Sequence, residues 1–110
     1  MPNSNSSESD LLKVLLEPLL EDFQYWFQRS RSLLEAHTID FLEPTAQADL
    51  LARVIQAQQE VSTAQMLLNA TDGQVGVEAS IMVPWHNLVA ECWKVGMRYR
   101  REHPTDLDLD

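Results

Sequence analysis

The chain has 110 residues, of which 45% are hydrophobic and only three are glycine, and its formal net charge is −9. This length fits one domain, and the scarcity of turn-forming residues favours long helices over strands. The negative charge disfavours binding to nucleic acids or to anionic membranes, because either surface would repel the chain.

Cysteine content and hydropathy indicate the compartment. Cys92 is the single cysteine, so an internal disulfide is excluded and a reducing compartment is favoured. No apolar run reaches the roughly 18 to 20 residues that a membrane span requires, and the polar first residues do not resemble a secretory signal. We therefore expect a cytoplasmic protein without a membrane span.

The first predicted helix spans residues 10–36 and follows a polar segment, residues 1–9, that is predicted to be a disordered tail. Pro18 lies inside this helix, and because proline removes one backbone hydrogen bond and clashes with the preceding turn, we expect a kink or a break near Glu17. The apolar residues that recur at helical spacing are Leu12, Leu16, Leu19, Phe23 and Trp26.

The second predicted helix spans residues 45–70, with Pro44 suited to its first position. Its apolar seam alternates steps of four and three residues and comprises Leu50, Val54, Ala57, Val61, Ala64 and Leu68. The two alanines let another helix come close. That helix is expected to belong either to the same chain or to a second copy, in a homodimer through Ala57 and Ala64.

The third predicted helix spans residues 84–101. Residues 75–82 before it have two readings, an extra short helix or the start of the last helix interrupted by Pro84. Residues 103–110 form an acidic tail in which leucine and aspartate alternate. We predict an all-α domain over residues 10–102, folded as a three-helix up-down-up bundle.

No group of side chains in this sequence predicts catalysis or cofactor binding. His86 and Cys92 are six residues apart and so do not share a helix face as metal ligands would. Carboxylate pairs such as Glu17 and Glu21 are common on acidic helices, and no nucleophile or glycine-rich loop accompanies them. We predict no metal, no cofactor and no enzymatic activity.

Aromatic residues supply candidates for protein binding. Tyr25, Trp26 and Phe27 are consecutive, so they cannot all face one core. Trp26 lies on one apolar stripe of the helix and Phe27 on a second, which leaves Tyr25 off both. Trp93 is likewise off the seam of the third helix, in which Trp85, Cys92 and Tyr99 recur at seven-residue steps and Cys92 is expected to be a small core residue. Tyr25 and Trp93 are each expected either to be covered by a neighbouring helix or to bind a partner. In the acidic tail, Leu107 and Leu109 are candidates for docking into a partner's groove, and the alternative is a solvated tail.

A second hypothesis is a small-molecule carrier. It would hold a pigment or another apolar ligand among Trp26, Trp85 and His86, and it predicts an internal cavity of roughly 300 Å³ or more. The hypothesis favoured by the sequence is a small helical protein-interaction or assembly factor.

Four segments of the sequence are distinctive. They are LKVLLEPLL at residues 12–20, FQYWF at 23–27, the segment from QQEV at 58–61 to DGQVG at 72–76, and the segment from PWH at 84–86 to Cys92 and Trp93. These segments resemble an uncharacterised family of short cyanobacterial proteins, a domain of unknown function. The resemblance covers about residues 10–101 and implies no activity and no site residues. It makes photosynthetic or carbon-fixation complexes plausible settings.

Overall fold

The structure is a computed structural model that describes residues 4–71 and 79–104. Helix α1 spans Ser4–Ala36, α2 spans Pro44–Ala70 and α3 spans Ala79–Glu102. The described residues contain no strand. The predicted all-α class with three long helices is therefore confirmed.

Helix α1 begins at Ser4 rather than at Asp10 and continues through Pro18 without interruption. The break that the proline suggested is therefore wrong. Leu16 and Leu20, on either side of Pro18, are both buried in the core. Burial of two leucines stabilises the chain by several kcal/mol, on the order of the roughly 3 kcal/mol that an interior proline costs, so tertiary packing maintains the helix.

Helix α2 follows the predicted boundaries closely. Glu43 precedes it with extended backbone angles, and Pro44 occupies the first turn, where its missing N–H has no intrahelical acceptor to lose. All six residues of the predicted seam are buried. This agreement confirms that the four-and-three spacing marks the face of α2 that packs against the rest of the chain.

Helix α3 begins at Ala79 and passes through Pro84. A separate short helix over residues 75–82 is therefore wrong for residues 79–82, whereas residues 75–78 lie outside the described part. Pro84 is close to the start of α3, and burial of Trp85 and Leu88 immediately after it holds the helix against the core. This burial offsets the lost backbone hydrogen bond.

The helices run up, down and up, as predicted. Phe23 of α1 contacts Trp85 of α3, and His37, near the other end, contacts Tyr99, so α1 and α3 are parallel. Helix α2 is antiparallel to both. The core between them is apolar, and its fully buried large side chains are Leu20, Phe27, Ile39, Val54, Val61, Leu68 and Trp85.

Glutamine side chains of both α1 and α2 join the two helices. Gln24 Nε2 donates to the Gln58 carbonyl oxygen at 3.1 Å and to Ser62 Oγ at 2.9 Å. Gln58 Nε2 donates to Gln28 Oε1 at 3.0 Å. These amides therefore serve contacts within the chain, which explains why α2 carries so few charges on this side.

None of the helices, over the residues that the structure describes, combines the length and apolarity needed to cross a bilayer.

Candidate functional site

Helices α1 and α3 lie side by side and leave a shallow groove between them, here called the α1–α3 groove. Its volume is about 50 Å³. Because the helices are parallel, each successive turn of α1 lies beside a successive turn of α3, so each helix lines the groove with residues three or four positions apart. The lining residues are Trp26, Arg29, Ser30 and Leu33 from α1, and Cys92, Trp93, Gly96 and Arg100 from α3.

The α1 rim of the groove is a preorganised cluster of two aromatic rings and a guanidinium group. Tyr25 and Trp26 meet edge to face with their ring centroids 5.1 Å apart. Arg29, one turn later, donates from Nη1 to Tyr25 Oη at 3.1 Å, and its Cζ lies 5.8 Å from the Tyr25 ring and 5.9 Å from the Trp26 ring. These contacts restrict all three side chains before any partner binds.

The α3 rim consists of Trp93 and Arg100 with a notch between them. Gly96 leaves the notch open, and a Cβ atom placed there would lie 4.0 Å from Arg100 Nη2, which is ordinary van der Waals contact. Both rims are accessible, since the exposed fraction is 49% for Trp93 and 54% for Tyr25. The groove therefore has exposed aromatic rings on each side.

The floor of the groove contains a buried cysteine that is not reactive. Cys92 is buried there, and burial raises the pKa of its thiol, although a hydrogen bond with Ser30 opposes the shift. A thiol with a raised pKa is protonated at neutral pH and is a poor nucleophile. Cys92 is therefore part of the packing of the floor, as its position in the α3 seam predicted.

Two positive charges line this groove although the chain as a whole is acidic. Arg29 and Arg100 are among the lining residues, whereas Lys94 and Arg101, on the same helix as Arg100, are not. Arg98, by contrast, stacks over Phe41 with 4.1 Å between its Cζ and the ring centroid. The arginines at the groove favour a partner that carries carboxylates.

Comparison of the sequence with known protein families identifies the family of this chain. Residues 6–101 match the family described as Protein of unknown function (DUF2605). The chain belongs to this family. No significant match was found among curated proteins or among solved structures. Membership therefore confirms the predicted uncharacterised family.

In this DUF2605 chain, the structure brings two of the predicted site residues to one surface. Trp93 lines the α1–α3 groove, and Tyr25 contacts its neighbour Trp26, which lines the groove as well. Leu107 and Leu109 lie outside the described residues. Their role in binding, like that of Tyr25 and Trp93, stays a prediction.

Sequence reasoning missed the residues that complete the groove. Arg29 follows Tyr25 by one helical turn, a spacing at which an arginine reaches an aromatic ring, so that contact had a local signal. Gly96 and Arg100 had none. They come from a helix far away in the sequence, and only the packing of α3 on α1 brings them beside Arg29.

In the described part of the chain, the two tryptophans proposed to hold an apolar ligand line different pockets. Trp26 lines the α1–α3 groove, whereas Trp85 lines an open depression of about 280 Å³ between α2 and α3. His86, next to Trp85 in the sequence, is exposed. The carrier hypothesis stays a prediction.

The alanines of α2 are covered by the chain itself. Ala57 is 3% exposed and Ala64 is 9% exposed in the single chain. The small side chains therefore allow close packing within the bundle, and a dimer through Ala57 and Ala64 would require the bundle to open.

No cluster of metal ligands is formed by the residues that the structure describes, taking three His, Cys, Asp or Glu side chains as the minimum. His103 Nε2 lies 3.5 Å from Asp40 Oδ2, and the His103 ring stacks on Tyr99. This pair joins the end of α3 to the α1–α2 connection and has a structural explanation.

Proposed function

We propose that this protein is a non-enzymatic interaction or assembly factor that binds a protein partner at the α1–α3 groove. The observation that carries the proposal is the exposure of Trp93 on the α3 side of the groove and of Tyr25 beside Trp26, which lines the α1 side, together with Arg29 and Arg100 in the lining. Tryptophan, tyrosine and arginine are the residues most enriched at the energetic centres of protein interfaces.

The groove also limits what the partner presents. Its volume suits one small apolar side chain, and is far below the roughly 300 Å³ at the lower end of small-molecule pockets. The two arginines favour carboxylates on either side of that side chain. We therefore expect a short segment in which an apolar residue lies between acidic ones.

The setting follows from the family resemblance. A cyanobacterial source would make a photosynthetic or carbon-fixation complex the assembly served, in the cytoplasm. Leu107 and Leu109 of the acidic tail are a second proposed contact with the same partner. Pull-down from the native host with the full chain and with a chain truncated after Glu102 tests the tail, since loss of the partner on truncation is expected if the tail binds it.

Selection from a displayed peptide library tests the groove directly. We expect enriched peptides to combine an apolar residue with Asp or Glu, and to bind the isolated protein in calorimetry. Trp93→Ala should weaken binding roughly thirtyfold or more, as truncation of a central interface residue does. Arg100→Gln should weaken it less and reduce its salt dependence, because one charge contact is removed.

A matched control and a blocking variant complete the experiment. Met97 is on the same helix as Trp93 and equally exposed but does not line the groove, so Met97→Ala should leave the affinity unchanged. Gly96→Leu should fill the notch and abolish binding without unfolding α3. Peptides that bind Trp93→Ala and Gly96→Leu as tightly as the unmodified chain would refute the groove as the binding site.

The carrier hypothesis has weaker support. The depression beside Trp85 approaches the volume of a ligand site, but it is open and its walls include the charged residues Arg53, Glu60 and Glu91. An apolar pigment would exclude water from these charged groups, and although Arg53 is paired with Glu91 and Glu60 accepts from Trp85, loss of their hydration carries a free-energy cost. A coloured protein purified from the native host would favour this alternative.

A further inference from the structure

The segment that follows α3 has the composition that the α1–α3 groove favours. Residues 105–110, here called the tail, read Thr-Asp-Leu-Asp-Leu-Asp and lie outside the described residues. The arginines and the small volume of the groove suit a short segment in which an apolar residue lies between acidic ones. The tail contains this pattern twice, at Leu107 and at Leu109. The chain therefore carries a candidate occupant of its own groove.

We propose that the tail folds back over the α1–α3 groove of the same chain and occupies it until a partner displaces it. The tail then limits access to the site. As a control on partner binding, this inference rests on the proposed function, whereas the docking of the tail does not need it.

The end of α3 places the tail beside the groove. Gly96 and Arg100 line the groove, and His103 follows Arg100 by three residues, so it is on the same face of α3. His103 Nε2 lies 3.5 Å from Asp40 Oδ2, which fixes this end of α3 against the α1–α2 connection. Pro104 comes next and cannot continue the helix. The chain therefore leaves α3 on the face that carries the groove.

The tail is long enough to cover the groove. From Trp93 to Arg100, the lining residues of α3 span about 10 Å at 1.5 Å per residue. Six extended residues span about 20 Å, so even if two of them reverse the chain, the other four span about 13 Å. Extended backbone points alternate side chains to opposite sides. Leu107 and Leu109 can thus both face the groove while the aspartates lie above its rims.

The charge of the two segments that form the groove is opposite to that of the tail. Residues 23–34 of α1 and 92–101 of α3 hold six of the eight lysines and arginines of the chain and contain no Asp or Glu. Arg31 and Arg98 pair with glutamates one turn later, just beyond these segments. Arg29 and Arg100 line the groove itself. They attract the three carboxylates of the tail, although the chain as a whole is acidic.

The tether favours the tail of the same chain over a free segment of equal affinity. A short linker holds a ligand near its site at an effective concentration on the order of 1 mM, which exceeds the usual concentration of other copies. A partner must therefore bind the groove more tightly than the tail does in order to displace it. Displacement releases Leu107 and Leu109, which are then free for the second contact with the partner proposed above.

The indole N–H signals of the three tryptophans test the docking in one NMR spectrum. Trp26 and Trp93 line the groove, whereas Trp85 lines the depression between α2 and α3 and serves as the internal control. We expect truncation after Pro104 to shift the Trp26 and Trp93 signals and to leave Trp85 unchanged. The signals of the full chain should stay constant over a roughly fiftyfold range of protein concentration, because the contact is within one chain.

A variant of the tail gives the same test without truncation. Leu107→Ser combined with Leu109→Ser alters no described residue, so the three helices are unchanged. We expect this variant to show the Trp26 and Trp93 signals of the truncated chain, because the apolar side chains that fill the groove are lost.

A synthetic peptide with the sequence of residues 105–110 measures the competition. It should bind the truncated chain saturably and the full chain at least tenfold more weakly, since the tethered tail competes for the groove. The Leu107→Ser, Leu109→Ser chain should bind it as the truncated chain does. A peptide with serine at both leucine positions keeps the charge and should not bind. Because a free peptide makes no second contact, its affinity reports on the groove alone.

The outcomes that overturn the inference differ from those that would overturn the proposed function. Indole signals unaffected by truncation, or equal peptide affinities for the truncated and full chains, would refute the docking. Signals that move with protein concentration would assign the tail to the groove of a second copy and refute it as well. Library peptides that bind the groove while the indole signals ignore truncation would leave the proposed function intact. A docked tail that no partner displaces would do the reverse.

Discussion

Trp85 shows how a single residue combines apolar burial with a polar requirement. Its side chain is 1% exposed and meets Phe23 edge to face, with 5.5 Å between the ring centroids. The indole Nε1 donates to Glu60 Oε1 at 2.9 Å. A buried indole N–H needs an acceptor, and the carboxylate of α2 supplies one. Glu60 thereby has a role that its exposed position on α2 does not reveal.

Removing the acceptor should destabilise the chain. We expect Glu60→Ala to lower the free energy of unfolding by about 1–2 kcal/mol, because the indole N–H loses a charge-assisted hydrogen bond. Glu60→Gln keeps an acceptor oxygen at the same place and should cost less than about 1 kcal/mol. Urea denaturation of the three proteins measures the difference, and equal losses for the two variants would show that Trp85 gains nothing from this bond.

At the scale of elements, Gln47 of α2 holds the end of α1 and the following connection in place. Its Oε1 accepts from the Ile39 backbone N–H at 2.9 Å, and its Nε2 donates to the carbonyl oxygens of Leu34 at 3.0 Å and His37 at 2.8 Å. The carbonyls at a helix end have no partner within the helix. Gln47 supplies a hydrogen-bond donor to these carbonyls. Its bond to the Ile39 N–H also fixes the backbone at Ile39, whose side chain is buried in the core.

Substitution of Gln47 should therefore lower the free energy of unfolding by more than substitution of an ordinary surface glutamine does. We expect Gln47→Ala to lower the free energy of unfolding by about 2–3 kcal/mol, since three backbone groups lose their partner. Gln56 is on the same helix, and within the described part of the chain its Nε2 donates to Glu60 Oε2, one turn away, at 3.3 Å. Gln56→Ala should change the free energy of unfolding by less than about 0.5 kcal/mol. Denaturation curves that shift equally for both variants would contradict this role.

At the scale of the whole molecule, an ion pair between Arg53 of α2 and Glu91 of α3 helps to attach α3 to the α1–α2 hairpin. Arg53 Nη1 and Nη2 donate to both carboxylate oxygens of Glu91, at 2.8 and 3.0 Å, and Arg53 Nε donates to Asp49. The hydrogen bonds from Arg53 lower the pKa of Glu91, and burial opposes the shift. Both side chains are close to half exposed, so solvent screens the pair.

This pair makes part of the stability depend on pH. A carboxyl whose pKa is lower in the folded chain stabilises the fold above its unfolded pKa, and this contribution is lost as the pH falls through the folded pKa. We expect Glu91→Gln to be less stable than the unmodified chain at neutral pH by at most about 1 kcal/mol. The difference should vanish in acid below the ordinary range for glutamate.

Thermal or urea unfolding across pH measures this effect. Glu35→Gln is the matched control, because Glu35 pairs with Arg31 of its own helix and does not join two elements. A gap between Glu91→Gln and the unmodified chain that persists in acid would show that the ion pair is not its cause.

The helices could be predicted from the sequence because helical periodicity is local. The six-residue seam of α2 and its start at Pro44 depend on residues a few positions apart, and the structure confirms both. The same reasoning singled out Tyr25 and Trp93 as residues off an apolar stripe, but it left open whether a neighbouring helix covers them, and only the structure shows that both are about half exposed. The packing between segments that are far apart in the chain leaves no comparable periodic pattern in the sequence.

Tertiary structure alone decided the rest. Local rules predicted a kink or a break near Glu17 and could not choose between them; the helix is continuous, because burial of Leu16 and Leu20 offsets the hydrogen bond that Pro18 removes. The α1–α3 groove exists because parallel packing brings Gly96 and Arg100 beside Arg29. Free energies of packing depend on which surfaces meet, and residues far apart in the chain meet only once the helices have docked.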